Sequence, residues 1–152
     1  MDRSHELCRL MFSIKGHLDT LLFTVSSSCQ VTPLQMAILL HLRRNPSSLK
    51  ELRCQLHLNQ GNASTICKKM ETEGWLRRVR DAHDERLVQL VLTPAGQTLA
   101  ADLDCRLEQL SQLLEAYPEA QIEPIVRGME RASSVLLQLT AALQTQTQNQ
   151  VN

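Results

Sequence analysis

Apolar residues recur along the first 26 positions at Leu7, Met11, Ile14, Leu18, Leu21 and Val25, in steps of 4, 3, 4, 3 and 4. That spacing predicts an amphipathic helix over 5–26 with a narrow, seam-like stripe. Ser26-Ser27-Ser28 ends it, and Thr32-Pro33 opens a second helix, Thr as the cap and Pro at the first helical position. This helix runs through Met36, Leu39 and Leu40 and stops near Asn45-Pro46. Ser47 or Ser48 caps a third, short helix over Leu49–Leu56, apolar at Leu49, Leu52 and Leu56. A turn over Leu58–Gly61 leads to a fourth helix, about Asn62–Glu73. It carries Ala63, Ile66, Cys67 and Met70 on one face and Ser64, Thr65, Lys68, Lys69 and Thr72 on the other, and Gly74 is its stop.

Past Gly74 the period falls to two. Trp75–Arg80 is short and mixed. In Arg86–Leu92, Leu87, Gln89 and Val91 alternate with Val88, Leu90 and Leu92. Together they predict a two-stranded hairpin around the polar tip Asp81–Glu85. Thr93-Pro94 caps a fifth helix with the stripe Leu99, Leu103, Leu107, Leu110, Leu114, Tyr117, which Pro118 breaks. A last helix over Glu119–Gln146 carries Ile122, Val126, Met129, Ser133, Leu136, Thr140 and Leu143, again in steps of 4 and 3. The Gln- and Asn-rich residues 147–152 are expected to form a flexible tail. The domain plan is therefore an N-terminal helix over 1–29, a compact unit over 30–93, C-terminal helices over 94–146, and the tail.

Composition agrees with a mainly α (α+β) fold. Leu occurs 27 times in 152 residues while aromatics make up 3%, a bias toward helix formers over strand formers. The formal net charge is zero, but residues 41–90 hold ten Lys/Arg against six Asp/Glu, and the remainder six against ten. A polyanionic partner would thus meet the middle third. No apolar run reaches the length of a membrane span. Asp2, Arg3, His5, Glu6 and Arg9 exclude a secretion signal at the start. Five irregularly spaced cysteines read as reduced thiols of a cytoplasmic protein rather than a disulfide framework.

A helix pair joined by a tight turn and followed by a hairpin is a winged helix-turn-helix. The second helix of the pair buries one face and offers the other to a nucleic acid. Gln60, Asn62, Ser64 and Thr65 stand at its N-terminal end, where base-edge contacts arise, and Lys68 and Lys69 follow as phosphate ligands. The hairpin adds Arg77, Arg78, Arg80 and Arg86, suited to the minor groove or the flanking backbone.

The stretch Leu34–Leu42, then Leu49–Leu56, then Ser64–Leu76 with its ending Met-Glu-Thr-Glu-Gly-Trp-Leu-Arg-Arg, then Asp84-Glu85-Arg86 and Leu90-Val91-Leu92-Thr93-Pro94-Ala95-Gly96 resembles the MarR family of bacterial transcription regulators. Order and spacing carry the likeness, which extends to the flanking helices. The resemblance implies a homodimer through interlocked N- and C-terminal helices, with a helix in the major groove of double-stranded DNA and a wing against the minor groove. It makes Arg86 the wing-tip arginine and Asp84 the carboxylate that orients the wing arginines. Glu85 departs from the pattern, standing where many relatives carry a base.

The resemblance also implies an effector. Relatives answer to small aromatic acids, for which His17, His41 and Arg43 are candidate polar groups here, although the residues alone fix no ligand site. The hydroperoxide-sensing branch uses an N-terminal-helix cysteine, which points to Cys8; the tyrosines that support it there are missing, since Tyr117 is the only one. Cys54 and His57, spaced i and i+3, with His41 nearby, fall short of the four ligands of a closed zinc site, so no metal and no cofactor is expected. The sequence holds no nucleophile elbow, phosphate loop or zincin motif, which argues against an enzyme. The sequence reading is therefore a dimeric DNA-binding regulator, most simply a repressor. Its rival is a winged-helix module that binds protein and has lost DNA binding, motivated by zero net charge and a weakly charged wing tip.

Overall fold

The computed structural model describes residues 2–80 and 88–151, the last five of these by backbone alone. The elements are α1 (Arg3–Ser27), α2 (Pro33–Arg44), β1 (Ser47–Ser48), α3 (Leu49–Gln55), α4 (Gln60–Thr72), β2 (Leu76–Arg80), β3 (Val88–Leu92), α5 (Pro94–Leu114) and α6 (Glu119–Val151). The chain forms two compact units, residues 1–108 and 109–152. The hairpin tip Asp81–Glu85 and the first two residues of the expected second strand lie outside the described residues. None of the described helices is long and apolar enough to cross a membrane.

The predicted caps form. The Thr32 hydroxyl accepts from the Gln35 N–H at 3.2 Å while the Gln35 side chain accepts from the Thr32 N–H at 2.8 Å, a reciprocal box at the start of α2. Ser48, rather than Ser47, does the same for α3 with Glu51. Hydrogen bonds from the Ser48 N–H and then its hydroxyl hold the Glu51 carboxyl below the usual carboxylate range. Ser47 has a different task. With Ser48 it forms β1, a two-residue strand paired to Leu90 and Gln89 of β3, which no hydrophobic alternation announced. The sheet is antiparallel in the order β1-β3-β2.

The core of the first unit gathers Ile38, Leu39, Leu52, Met70, Leu76, Leu90 and Leu103, all fully buried. It therefore draws on α2, α3, α4, the sheet and α5. Arg43 of α2 adds an ion pair to Asp104 of α5, Nε to Oδ2 at 3.1 Å. By contrast, the α1 stripe lies open. Leu7, Ile14, Leu18 and Leu21 are exposed, and off the stripe Phe12 is 76% exposed. In the second unit, Val126, Met129, Leu136 and Leu143 of the α6 stripe are likewise exposed. The helix α6 continues to Val151, five residues past its expected end.

Gly74 ends α4 region with φ of +77°, as a stop glycine should. Its neighbour sets a tight steric constraint. The Trp75 N–H reaches back to the Met70 carbonyl at 2.9 Å, and the Trp75 carbonyl accepts from the Thr93 N–H at 3.0 Å. The Thr93 hydroxyl donates to the Gly74 carbonyl and accepts from the Gly96 N–H at 3.1 Å. A Cβ on Gly96 would lie 1.9 Å from the Trp75 carbonyl oxygen, so only glycine fits. Gly96→Ala forces backbone apart here and is expected to cost about 1–3 kcal/mol of stability, as overpacking does. Urea unfolding of the variant against the parent checks this; an unchanged midpoint would show that the contact relaxes freely.

Candidate nucleic-acid interface

The turn between α3 and α4 is short and strained at one point. His57 adopts a left-handed φ of 52°, and the Leu58 N–H closes on the Arg53 carbonyl at 2.9 Å. Asn59 then caps α4, its side chain accepting from the Asn62 N–H at 2.8 Å. The helix thus starts at Gln60, two residues before the expected position, and Gly61 lies inside its first turn. Ala63, Cys67 and Met70 are fully buried, with Ile66 half-buried. The opposite face presents Gln60, Asn62, Ser64, Thr65, Lys68 and Lys69, all exposed. The structure therefore brings the six predicted residues of α4 onto one open surface.

Two expected cations are already engaged. Lys69 Nζ lies 3.8 Å from Glu73 Oε1, an i,i+4 pair. Arg78 of β2 donates from Nε to Glu71 Oε2 of α4 at 3.3 Å. The register puts Arg78 opposite Leu90 and on the same side of the strand as buried Leu76, whereas Arg77, opposite Val91, points to the other side. Arg77 and Arg80 are exposed. Asp84 and Arg86 lie outside the described residues. Sequence reasoning missed Glu71 as a partner of Arg78; its only signal was the proximity of the α4 end to the following strand, since no local spacing pairs residues seven apart across a turn.

The effector candidates do not converge. His41 Nε2 and Ser47 Oγ share a hydrogen bond of 2.8 Å, Arg43 is tied to Asp104, and His17 is exposed on α1. The first unit does carry an open crevice of about 730 Å³, lined by Cys29, Gln30, Glu73, Trp75, Ala95, Thr98, Leu99 and Asp102. None of the three candidates lines it, and its two charged residues are carboxylates. The helical juxtaposition expected of Cys54 and His57 is lost, because α3 ends at Gln55 and His57 turns left-handed.

A family model described as the MarR family matches residues 30–87, from the turn before α2 to the hairpin. Over those residues the chain is similar to the MarR family. Among its relatives, the HTH-type transcriptional regulator TtmR of Methylorubrum extorquens is 34% identical over 73 residues. The match takes in 48% of this chain but 37% of that protein, so the chain spans well under half of this relative's length. The organic hydroperoxide resistance transcriptional regulator of Bacillus subtilis is 28% identical over 100 residues, 65% of this chain and 68% of that one. The structure of the transcriptional repressor CouR bound to a 23-mer DNA duplex superposes with a TM-score of 0.74 at 20% identity, covering 86% of this chain and 94% of that one. At that identity the likeness establishes the shared winged-helix fold. The glycine and tryptophan that follow α4, and the Leu-Thr-Pro-Ala-Gly exit from β3, are the residues that the Trp75–Gly96 contact explains.

The fold also sorts the thiols. Cys8, Cys54 and Cys105 are exposed, Cys29 is half-buried and Cys67 is buried. Burial pushes the Cys67 thiol above the ordinary thiol range; the Arg78 charge opposes this and the Glu71 charge adds to it. A folded-state value raised above the unfolded one contributes stability that is complete below the ordinary thiol pKa of about 8.5 and is lost as pH rises further. Stability should therefore fall at alkaline pH, and Cys67→Ala should lessen that fall. In mass-spectrometric mapping of alkylation, Cys54 should label well ahead of Cys67; equal rates would contradict the assigned burial.

Proposed function

We propose that the chain is a DNA-binding transcriptional regulator of the MarR type, acting in the cytoplasm as a homodimer on a pseudo-palindromic duplex. The observation that carries this is α4. One face is locked into the core by Ala63, Cys67 and Met70, and the other presents Gln60, Asn62, Ser64 and Thr65 ahead of Lys68. Short polar groups at the N-terminal end can reach base edges, and the cation behind them can reach phosphate. Lys69 keeps a share of this role, weakened by Glu73. At the wing, Arg77 and Arg80 are available, with Arg86 and Asp84 at the tip by resemblance. The likeness of the fold to CouR, a repressor described in complex with a duplex, supports DNA as partner and repression as mode.

The dimer rests on the apolar stripes. Leu7, Ile14, Leu18 and Leu21 on α1, and separately Val126, Met129, Leu136 and Leu143 on α6, are too exposed for a stable free surface, and a second copy supplies the matching cover. For the effector, the crevice carboxylates Glu73 and Asp102 disfavour an aromatic acid there. Cys8, exposed on α1, is our candidate for oxidant sensing.

Selection of bound duplexes from a random pool, with reductant present, tests the reading. An enriched inverted repeat with half-sites about one helical turn apart is the expected result. Affinity for that duplex should fall steeply with salt, and Lys68→Ala should flatten the slope of log affinity against log salt by about one unit. The pairing of Lys69 and Arg78 with acidic neighbours favours a second reading, a protein-binding winged module. A folded dimer, stripped of any bound ligand, that enriches no duplex would favour it over the first.

A further inference from the structure

The tie between Glu71 and Arg78 bridges the two elements that the DNA-binding reading assigns to the groove and to the wing. We infer that Arg78 is a positioning residue, which fixes the wing against α4 through Glu71 rather than contacting phosphate. The inference rests on the DNA-binding reading above.

Three features support it. The first is register. Along β2 the side chains alternate, so Arg78 leaves the strand on the side of buried Leu76, the side on which α4 carries Glu71, and pairs in register with Leu90. Arg77, one residue earlier, leaves on the opposite side. Arg78 is itself exposed, so what holds it back from a backbone phosphate is its tie to Glu71 rather than burial. The second is the partner. Glu71 stands on the last turn of α4, half-buried, and accepts from Arg78 Nε at 3.3 Å. A guanidinium is a rigid planar donor, so a bond to Nε sets the direction of the whole group. The third is what lies beneath. Both charges act on the thiol of Cys67, which is fully buried on the inner face of α4. The pair therefore sits at the seam where α4 and β2 meet, and it spans that seam.

A carboxylate on a DNA-facing helix is otherwise a liability, since it repels phosphate. Its presence at 71 is explained if its charge is consumed by Arg78 and the product of the pair is geometry. The division of labour that follows leaves Arg77 and Arg80 as the cations of β2 that are unpaired among the described residues.

The two roles make opposite predictions for the carboxylate, and that decides the test. The parent, Glu71→Gln, Arg78→Gln and the double variant are titrated against the selected duplex over a range of salt, at a temperature where all four are folded by circular dichroism. A positioning tie predicts that Glu71→Gln weakens binding by about two- to fivefold, although it removes a negative charge. It predicts that Arg78→Gln weakens binding similarly with an unchanged salt slope, and that the double variant is no worse than either single one. On a duplex shortened so that the wing has no flanking backbone to meet, all four proteins bind alike, which a general folding defect would not produce. Arg77→Ala, by contrast, should lower the slope by about one unit. Tighter binding by Glu71→Gln, additive losses, or a slope lowered by about one unit in Arg78→Gln overturns the inference. Should the parent bind no duplex, the DNA-binding reading fails instead, and the tie is read on the free protein. Amide hydrogen exchange in β2 must then be faster in both single variants than in the parent, with α2 unchanged, and equal exchange in β2 overturns it.

Discussion

The carbonyl of Trp75 is the joint on which the first unit is assembled. It accepts from Thr93 at the exit of β3 and presses so closely on Gly96 that no side chain can stand there. The amide of the same residue is bound to Met70 in α4. One residue thus holds the end of α4, the start of β2, the end of β3 and the first turn of α5. Buried backbone polar groups must be paired, and here pairing them leaves little freedom in how the helix and the hairpin are set relative to each other. The Glu71–Arg78 pair acts a few residues away on the same junction, through side chains instead of backbone.

Around this joint the fold divides its polar residues by neighbour rather than by type. Lys68 and Lys69 are adjacent on the exposed side of α4, yet only Lys69 has an acidic partner one turn on. Arg77 and Arg78 are adjacent on β2, yet strand alternation sends them to opposite sides. Counting basic residues in a segment therefore overstates what a polyanion would meet. The half-exposed pairs are each weak in isolation, and their value is in direction: they decide which cations are left facing outward.

Much of this was legible in the sequence. Thr32-Pro33, Ser47-Ser48 and Gly74 announce their helix boundaries through local hydrogen-bond chemistry, although only the structure picks Ser48 over Ser47, and the buried face of α4 follows from helical spacing alone. The parts that were not legible depend on contacts between distant residues. β1 is two serines whose strand pairing exists only because β3 lies beside them. Asn59 rather than a later residue starts α4, because the left-handed turn at His57 brings the chain round early. Arg78 looked like any other wing cation, since its partner is reached across a turn. His41 and Arg43 were candidate polar groups without a fixed site, and they are held by Ser47 and Asp104. Local signals specified the elements, and the third dimension specified which side chains remained unoccupied.

The strand order carries a further consequence. β3 is flanked on both sides, so β2 is an outer strand, with backbone donors and acceptors along one margin open to recruitment by another chain. Three of its five residues are arginines. Two copies approaching margin to margin would bring like charges together, which discourages the strand-to-strand growth that begins aggregation. The same side chains are then under two demands at once, and neutralising them wholesale would expose a sticky margin: a precipitating variant would report lost colloidal protection, and its failure to bind would say nothing about the operator.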